Sequence, residues 1–381
     1  MGRQTIEHTN IAPILNHQQL NWLIKRYIKA RQVLFIWGPI GVGKSDGVRQ
    51  AARDLAGEMK LEYTESIKRI NDEKAYVVMD IRLSQMDPSD LRGLPIFDKE
   101  NNVTRWLPPN SFPKTGHGLL FFDEENLAAP LVQASSYQLI LSKCLGDYVL
   151  PDGYSIVAAG NRITDKANIF DLAAPLANRQ GHVELRCPTP EEWGDWAIKN
   201  NVDPRIVGFI QFRQAALHTF DPKSKEKAFA TPRTWAMSSS LIYDPDVDPK
   251  HVNETMTDPE MLILALGSMV GNGNANDFVA FQKLKTQLHP IEDYVKNGDT
   301  IDLPDDVGLT WALITSLVEY FRAHPQDKTL LGIVKVSKRI SEEYATFMLK
   351  LMWAVDNSIQ ARLIKMPEAN ELAKKLWKFL Q

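Results

Sequence analysis

The sequence contains little cysteine and almost no net charge. Only two of its 381 residues are cysteines, Cys144 and Cys187, and their spacing matches neither a zinc site nor a disulfide framework. The 44 basic and 47 acidic residues give a formal charge of −3, so the overall charge predicts neither nucleic-acid binding nor binding to an anionic membrane. The low cysteine content favours a reduced compartment. Binding to an anionic partner would need a local basic surface, because the overall charge does not provide one.

Long hydrophobic runs are also absent. The strongest, Met261–Val270, is far too short to span a bilayer, and Met1–Glu7 lacks the apolar core of a signal peptide. We therefore expect a cytoplasmic protein with no membrane partner. What is present, 44% hydrophobic and 24% charged residues, is typical of a globular chain with two or three domains.

Short apolar segments alternate with helical segments in the first half of the chain. This alternation predicts an α/β fold with a parallel five-stranded sheet covered by helices on both faces. Amphipathic helices are predicted over residues 17–30 and 44–57. The predicted strands are Val33–Trp37, Tyr76–Ile81, Leu119–Phe122, Tyr154–Ala159 and His182–Leu185.

From about residue 187 the pattern becomes helical throughout. We expect a core domain over residues 1–186, an all-α lid over 187–288 and a helical C-terminal extension over 289–381. Residues 286–307, with prolines, glycine and acidic groups, indicate a linker. Beyond a helix that begins near Trp193, the predicted helices are Ile206–Leu217, Thr234–Ile242, Leu309–Phe321, Thr329–Val355 and Ala369–Leu380.

Two segments of the core domain carry turn signals. Residues 84–117 are rich in Pro, Asn, Asp and Gly, and compact domains rarely keep a structureless loop of this length. The segment is therefore predicted to contain a small hairpin or to serve as a working loop. Residues Gly146–Gly153 predict a second hairpin just before the fourth strand.

The loop after the first strand carries the most specific pattern in the chain. It reads Gly38-Pro39-Ile40-Gly41-Val42-Gly43-Lys44-Ser45 and leads into a helix. The glycines let backbone N–H groups turn inward around an anion, Lys44 can reach the β and γ phosphates, and the Ser45 hydroxyl can bind Mg²⁺. This segment, the phosphate loop, predicts a nucleoside triphosphate ligand; the alternative is an ordinary glycine-rich turn.

Two carboxylates follow the third predicted strand. Asp123, at the end of that strand, can hold Mg²⁺ directly or through water, and Glu124 can polarise the water that attacks the γ phosphate. Alone, such a pair is more often the N-cap of a helix. The phosphate loop upstream favours the catalytic interpretation.

Three further polar residues are candidates for the same chemistry. Asn161 follows the fourth strand and could orient the attacking water, although Asn is also a common turn residue. Arg179 precedes the fifth strand, and Arg233 opens a helix of the lid. Either arginine could neutralise charge on the transferred phosphoryl group, while most arginines are surface residues.

Together and in this order, these motifs resemble those of the AAA+ ATPases. The matches are the Walker A motif at Gly38–Ser45, the Walker B motif at Phe121–Glu124, sensor 1 at Asn161, the arginine finger at Arg179 and sensor 2 at Arg233. Within that superfamily the chain resembles the MoxR branch, which includes CbbQ-like proteins, at Met86–Gly93, Trp106–Pro109 and the Gly146–Gly153 hairpin. Asn126-Leu127 departs from the pattern, which has an arginine after the Walker B motif.

The resemblance implies a Mg²⁺-dependent ATPase that forms a hexameric ring with ATP at the subunit boundaries. Arg179 would then act on the ATP of the neighbouring subunit, and Arg233 would bind the nucleotide of its own subunit. The resemblance also implies a chaperone-like role in remodelling or maturing a protein partner. That partner often carries a von Willebrand factor A domain.

Two other functions remain open at this point. One is a nucleic-acid-directed motor resembling the McrB branch, although no stretch combines clustered Lys and Arg with interleaved aromatics. The other is a nucleotide-gated scaffold, in which ring assembly rather than turnover is the signal. DNA-stimulated hydrolysis would favour the first, and persistently slow turnover would favour the second.

Overall fold

The computed structural model describes residues 12–165, 170, 172–242, 258–369 and 374. The described residues separate into two compact units, one on each side of the Cys187–Pro188 bond. The segment Met1–Glu7 and most of the helix predicted at Ala369–Leu380 lie outside the described residues.

A parallel sheet of seven strands forms the centre of the first unit. The strands described in this unit are β1 Ile14–Leu15, β2 Val33–Trp37, β3 Glu62–Thr64, β4 Ala75–Arg82, β5 Leu94–Asp98, β6 Val103–Leu107, β7 His117–Asp123, β8 Cys144–Leu145, β9 Tyr148–Val149, β10 Tyr154–Ala159 and β11 Gln180–Leu185. The strand order in the sheet is β1-β11-β2-β10-β7-β4-β3, and every neighbouring pair is parallel.

The predicted α/β class and parallel sheet are confirmed, but the predicted number of five strands is wrong. The five predicted strands form the interior of the sheet, where both faces are covered and where β2, β4, β7 and β10 consist mainly of buried apolar residues. The two additional strands, β1 and β3, are the edges, with two and three residues. Strands this short, one of them beginning at exposed Glu62, carry no periodic signal.

Helices cover both faces of the sheet. The helices of the first unit are α1 His17–Lys29, α2 Lys44–Met59, α3 Pro88–Arg92, α4 Pro130–Ser142 and α5 Ala174–Ala177. Alternate residues of β2 point to opposite faces, so that Leu34 and Ile36 pack with α1 and α2 residues while Phe35 and Trp37 join the core beneath α4. Short 3-10 turns lie at Ile67–Arg69, Leu83–Gln85, Glu125–Leu127 and Ile163–Asp165.

Two antiparallel hairpins project from this α/β core. Residues 84–117 contain the hairpin β5–β6, which was one of the two alternatives predicted for that segment. The second hairpin, β8–β9, turns at Gly146–Asp147, so the predicted range of 146–153 begins too late. The two hairpins touch, since the Trp106 backbone N–H donates to the Asp147 carboxylate at 3.2 Å.

The second unit is helical throughout its described residues. Its helices pack around one hydrophobic core that includes Trp193, Trp235 and Tyr294. They are α6 Pro190–Lys199, α7 Pro204–Phe212, α8 Pro232–Ile242, α9 Pro259–Val270, α10 Asn272–Lys283, α11 Ile291–Lys296, α12 Val307–Ala323, α13 Asp327–Ser337, α14 Glu342–Val355 and α15 Ile359–Ile364. No described helix has the length and apolar character needed to cross a lipid bilayer.

Two predictions for this unit are wrong. Residues 286–307 are not an unpacked linker, because they contain α11 and bury Tyr294 in the core shared with the flanking helices. The helix predicted over 329–355 is two helices, because the Ser341 hydroxyl caps α14 by accepting from the Tyr344 N–H. The division into a lid and a C-terminal extension stays a prediction.

Candidate functional site

The phosphate loop joins β2 to α2 at the carboxyl edge of the sheet. Gly41 and Gly43 adopt left-handed backbone conformations, with φ of 74° and 96°. Gly38 lies so close to β11 that a Cβ atom would stand 2.7 Å from the Leu185 carbonyl oxygen. The loop is also held from α1, where His17 Nε2 lies 2.8 Å from the Val42 carbonyl oxygen. Its conformation is therefore fixed by glycine and by neighbouring elements.

The Lys44 side chain is almost fully buried within the loop, with 8% of its surface exposed. Its ammonium group donates to the carbonyl oxygens of Gly38, at 2.8 Å, and Pro39, at 3.0 Å. It also donates to Asn161 Oδ1 at 3.0 Å. The loop lysine and the polar residue after β10 thus meet, as expected for adjacent parallel strands whose carboxyl ends share one edge.

The end of β7 contributes the third side chain to this cluster. Ser45, in the first turn of α2, donates its hydroxyl proton to Asp123 Oδ2 at 2.9 Å. A hydroxyl and a carboxylate at this distance are the hard oxygen donors that suit Mg²⁺. Within the described residues, no group of three or more His, Cys, Asp or Glu side chains could hold a metal ion. The Ser45–Asp123 pair offers one hydroxyl and one carboxylate to such an ion.

Glu124 adopts a left-handed backbone conformation, with φ of 56°, which is uncommon for a residue other than glycine. Its carboxylate accepts a hydrogen bond from the Ser84 hydroxyl at 2.8 Å. Its N–H donates to Asp123 Oδ1 at 3.0 Å. The two acids are thus held separately, one beside Ser45 and the other beside the loop after β4. Sequence reasoning missed Ser84, because a serine in a loop carries no distinctive signal.

Asn126 supports Asn161 through two hydrogen bonds to the backbone. Its side-chain amide donates to the Asn161 carbonyl oxygen at 2.7 Å and accepts from the Asn161 N–H at 3.1 Å. Asn126 is fully buried, and a Cβ atom on Gly160 would stand 2.3 Å from its Oδ1. Asn126 is a positioning residue that the sequence interpretation missed. The only available signal was its departure from the arginine of the family pattern.

Glu125, between these two residues, points into the core. It is completely buried and accepts hydrogen bonds from Gln180 Nε2 at 3.3 and 3.1 Å. Burial raises the pKa of Glu125 to about 7, and the hydrogen bond from Gln180 opposes part of that rise. The other side-chain atom of this amide, Gln180 Oε1, is buried without a hydrogen-bond partner.

A further carboxylate borders the site on β4. Burial and the nearby Asp123 charge raise the pKa of Asp80, and the guanidinium of Arg49 partly offsets both effects. Arg49 donates to Asp80 Oδ2 at 3.0 Å. This ion pair reduces the excess negative charge beside Asp123, which suits a site for anionic phosphates.

Arg179 lies at the amino ends of the sheet strands, opposite the carboxyl ends that carry the phosphate loop. It directly precedes Gln180, which pairs with Val33 at the start of β2, whereas the phosphate loop follows the end of that five-residue strand. The strand length separates the two edges by about 16 Å. Arg179 is exposed, donates to the Pro175 carbonyl oxygen at 2.7 Å, and lies 5.2 Å from the Tyr137 ring centre. The structure therefore does not bring Arg179 to the Lys44 cluster of its own chain.

Arg233 belongs to the second unit. It is the second residue of α8. Thr231, which directly precedes this helix, accepts a hydrogen bond at its hydroxyl from the Thr234 N–H at 3.1 Å. The Arg233 side chain is exposed. Its role toward the nucleotide of its own subunit stays a prediction.

No protein-family model matches the sequence, and no curated protein sequence is significantly similar to it. Solved structures that align with the chain include NtrX from Brucella abortus, with 12% identity over 88% of this chain and 67% of that one, at a TM-score of 0.37. A mutant of RuvB from Thermotoga maritima aligns with 15% identity over 79% and 81%, at 0.34. PCH-2 of C. elegans aligns with 13% identity over 69% and 65%, at 0.29. Such TM-scores carry no argument, so the fold and site rest on their own geometry.

Proposed function

We propose that this chain is a Mg²⁺-dependent ATPase of the AAA+ type. The observation that carries the proposal is the convergence of three neighbouring strand ends, with Lys44 3.0 Å from Asn161 and Ser45 2.9 Å from Asp123. A glycine-rich loop that opens a helix at this edge offers backbone N–H donors and a buried ammonium to a chain of phosphates. A nucleoside triphosphate is the ligand that uses all of these groups.

In this proposal each side chain of the cluster has a separate task. The backbone N–H groups of the phosphate loop and the Lys44 ammonium bind the phosphates and stabilise the charge that develops during transfer. Glu124 accepts a proton from the attacking water at its carboxylate, and the Asn161 amide orients that water. Mg²⁺ bound by Ser45 and Asp123 would neutralise charge on the phosphate oxygens. The supporting residues Ser84 and Asn126 hold Glu124 and Asn161 in place.

We further propose that the site is completed by a second copy of the chain. Arg179 is exposed at the sheet edge opposite the phosphate loop, where it could supply positive charge to the nucleotide of a neighbour in a ring. Arg233 would bind the nucleotide of its own subunit. We favour a hexamer of the MoxR-like kind. It would remodel or mature a protein partner, with or without a von Willebrand factor A domain.

The exposed hairpin β5–β6 is the candidate contact for such a partner. Large apolar side chains on both strands are exposed, among them Leu94, Phe97 and Leu107. Monomeric proteins rarely leave so many apolar side chains together in solvent, so the hairpin is typical of an interaction surface. It belongs to the segment that the sequence interpretation left open as a working loop.

The ATPase proposal is tested with two variants and one control. Lys44→Ala should abolish ATP binding, because it removes the buried ammonium from the loop. Glu124→Gln should bind ATP normally but lose turnover by at least about a hundredfold, because the amide cannot accept the proton from water. Glu73→Gln, an exposed acid outside the site, should match the wild type. Full turnover by Glu124→Gln would refute the assignment.

The finer proposal needs a separate measurement. Glu124→Gln held with ATP and Mg²⁺ should sediment as a ring, and Arg179→Ala should reduce turnover without reducing ATP affinity. Mixing Arg179→Ala with Lys44→Ala should restore part of the activity, because each variant supplies the group that the other lacks. Absence of any restoration would contradict a shared site. Capture of DNA by the trapped ring would favour the nucleic-acid alternative.

A further inference from the structure

A cavity in the first unit lies at the amino ends of the sheet strands, opposite the phosphate loop. It has a volume of about 630 Å³ and opens where α1 and α4 end and where β2 and β11 begin. Its wall contains four cationic side chains and no acidic one. The four are Arg26, Arg31, Lys143 and Arg179.

The backbone brings these cations together from three separate places. Lys143 directly follows α4 and Arg31 lies two residues after α1, and both adopt left-handed conformations, with φ of 55° and 58°. Glycine or asparagine is usual at such positions, and other residues there are strained. Arg179 enters from the start of β11, beside Gln32, which directly precedes Val33 of β2. Four cations on one wall therefore come from unrelated segments rather than from one basic helix.

Few carboxylates neutralise this charge among the described residues. Arg31 pairs with Asp152 at 2.7 Å, but the Asp152 side chain is 90% exposed, so water screens the pair strongly. Arg179 contacts a carbonyl oxygen and an aromatic ring, and Arg26 lies 5.5 Å from the Trp22 ring centre. Burial, together with the positive charge of Arg31, lowers the pKa of Lys143 to about 8. An anion in the cavity would stabilise all four charged groups.

We propose that this cavity is a second anion site, which binds a diphosphate group carried by a ligand of nucleotide size. Planar guanidinium groups match phosphate oxygens with paired hydrogen bonds, and three of the four cations are arginines. The volume exceeds what one small anion fills and lies in the range of small-molecule sites. Beside the cations, the Tyr27 ring forms part of the wall, and a Cβ atom on Gly181 would stand 2.1 Å from its hydroxyl oxygen.

The inference is independent of hydrolysis at the phosphate loop. The test therefore uses the full chain with Lys44→Ala, which disables the phosphate loop in every copy and removes any nucleotide bound by a neighbour. Inorganic pyrophosphate and ADP, each without Mg²⁺, are titrated into this variant by calorimetry. Both should bind, and adding Lys143→Ala should weaken each at least about tenfold, because a charged hydrogen-bond donor is lost.

Lys60→Ala is the matched control. Lys60 also follows a helix in a left-handed conformation, with φ of 57°, but it does not line the cavity. Added to Lys44→Ala, it should leave both affinities unchanged. If Lys143→Ala fails to fold, Arg26→Ala replaces it, since Arg26 lies on the exposed side of α1.

The two ligands distinguish the source of the diphosphate, and either result supports the site. Tighter binding of ADP than of pyrophosphate would mean that the nucleoside packs along the Tyr27 wall. Equal affinities would mean that only the diphosphate group is recognised. Loss of all binding in Lys44→Ala, or equal binding with and without Lys143, would overturn the second site while leaving the ATPase proposal intact.

Discussion

Glu125→Gln should abolish a loss of stability that the wild-type protein suffers as the pH rises. Glu125 is completely buried, and its pKa is about 7 in the fold against an ordinary value of 4.5. The folded protein therefore binds this proton more tightly than the unfolded chain does. The contribution to stability is fully present below about pH 4.5, is lost as the pH rises through about 7, and does not change further above that.

The size of the effect follows from the two pKa values. The difference between 4.5 and about 7 corresponds to about 3 kcal/mol of unfolding free energy between about pH 4 and about pH 8. A glutamine has nearly the same shape and carries no charge. Its amide can also donate to Gln180 Oε1, which is buried without a partner in the wild type. We therefore expect Glu125→Gln to be more stable than the wild type at about pH 8 and nearly equal at about pH 4.5.

The assay must report on the first unit alone. Urea unfolding followed by a hydrogen-exchange pulse, read in peptides from β7 and β10, gives the free energy of unfolding of that sheet. Glu100→Gln, on the exposed hairpin loop, is the control and should retain the wild-type pH dependence. Identical pH profiles for the wild type and Glu125→Gln would refute the reasoning, because they would mean that the pKa of Glu125 is the same in the folded and the unfolded protein.

Two supporting residues provide further tests. Asn126→Ala removes both hydrogen bonds to the Asn161 backbone. We therefore expect the unfolding free energy to fall by about 1–3 kcal/mol and kcat to fall strongly, while ATP affinity is retained. An unchanged kcat would contradict the positioning role of Asn126. Ser84→Ala removes the hydrogen bond to the Glu124 carboxylate at an exposed position, so kcat should fall about tenfold while Tm stays within about 2 °C of the wild type. A kcat equal to the wild type would mean that Glu124 is positioned without Ser84.

Most of the interior of the sheet could be predicted from the sequence, because burial on both faces leaves mainly apolar runs in β2, β4, β7 and β10. The predicted bounds of β2 and β10 are those of the structure. The edge strands could not be predicted in this way, since they have a partner on one side only and need no such run. The break between α13 and α14 depends on one cap at Ser341, and the apolar spacing continues on both sides of it.

The cluster of Lys44, Asp123 and Asn161 could also be anticipated. Residues that follow adjacent parallel strands must meet at one edge, whatever path the chain takes elsewhere. The contacts of Ser84 with Glu124 and of Asn126 with Asn161 could not be anticipated in this way. These contacts depend on the paths of two short turns, Leu83–Gln85 and Glu125–Leu127, and the path of a turn cannot be predicted from a periodic pattern of apolar residues.

The close approach of Gly38 to Leu185 has a mechanical consequence. The first residue of the phosphate loop lies against the end of β11, with no room for even a methyl group between them. Leu185 is followed by only two residues before the chain passes into the second unit. A displacement of Gly38 toward β11 would bring it against the Leu185 carbonyl group. The backbone of β11 itself therefore limits where Gly38 can move, and no side chain is needed to impose that limit.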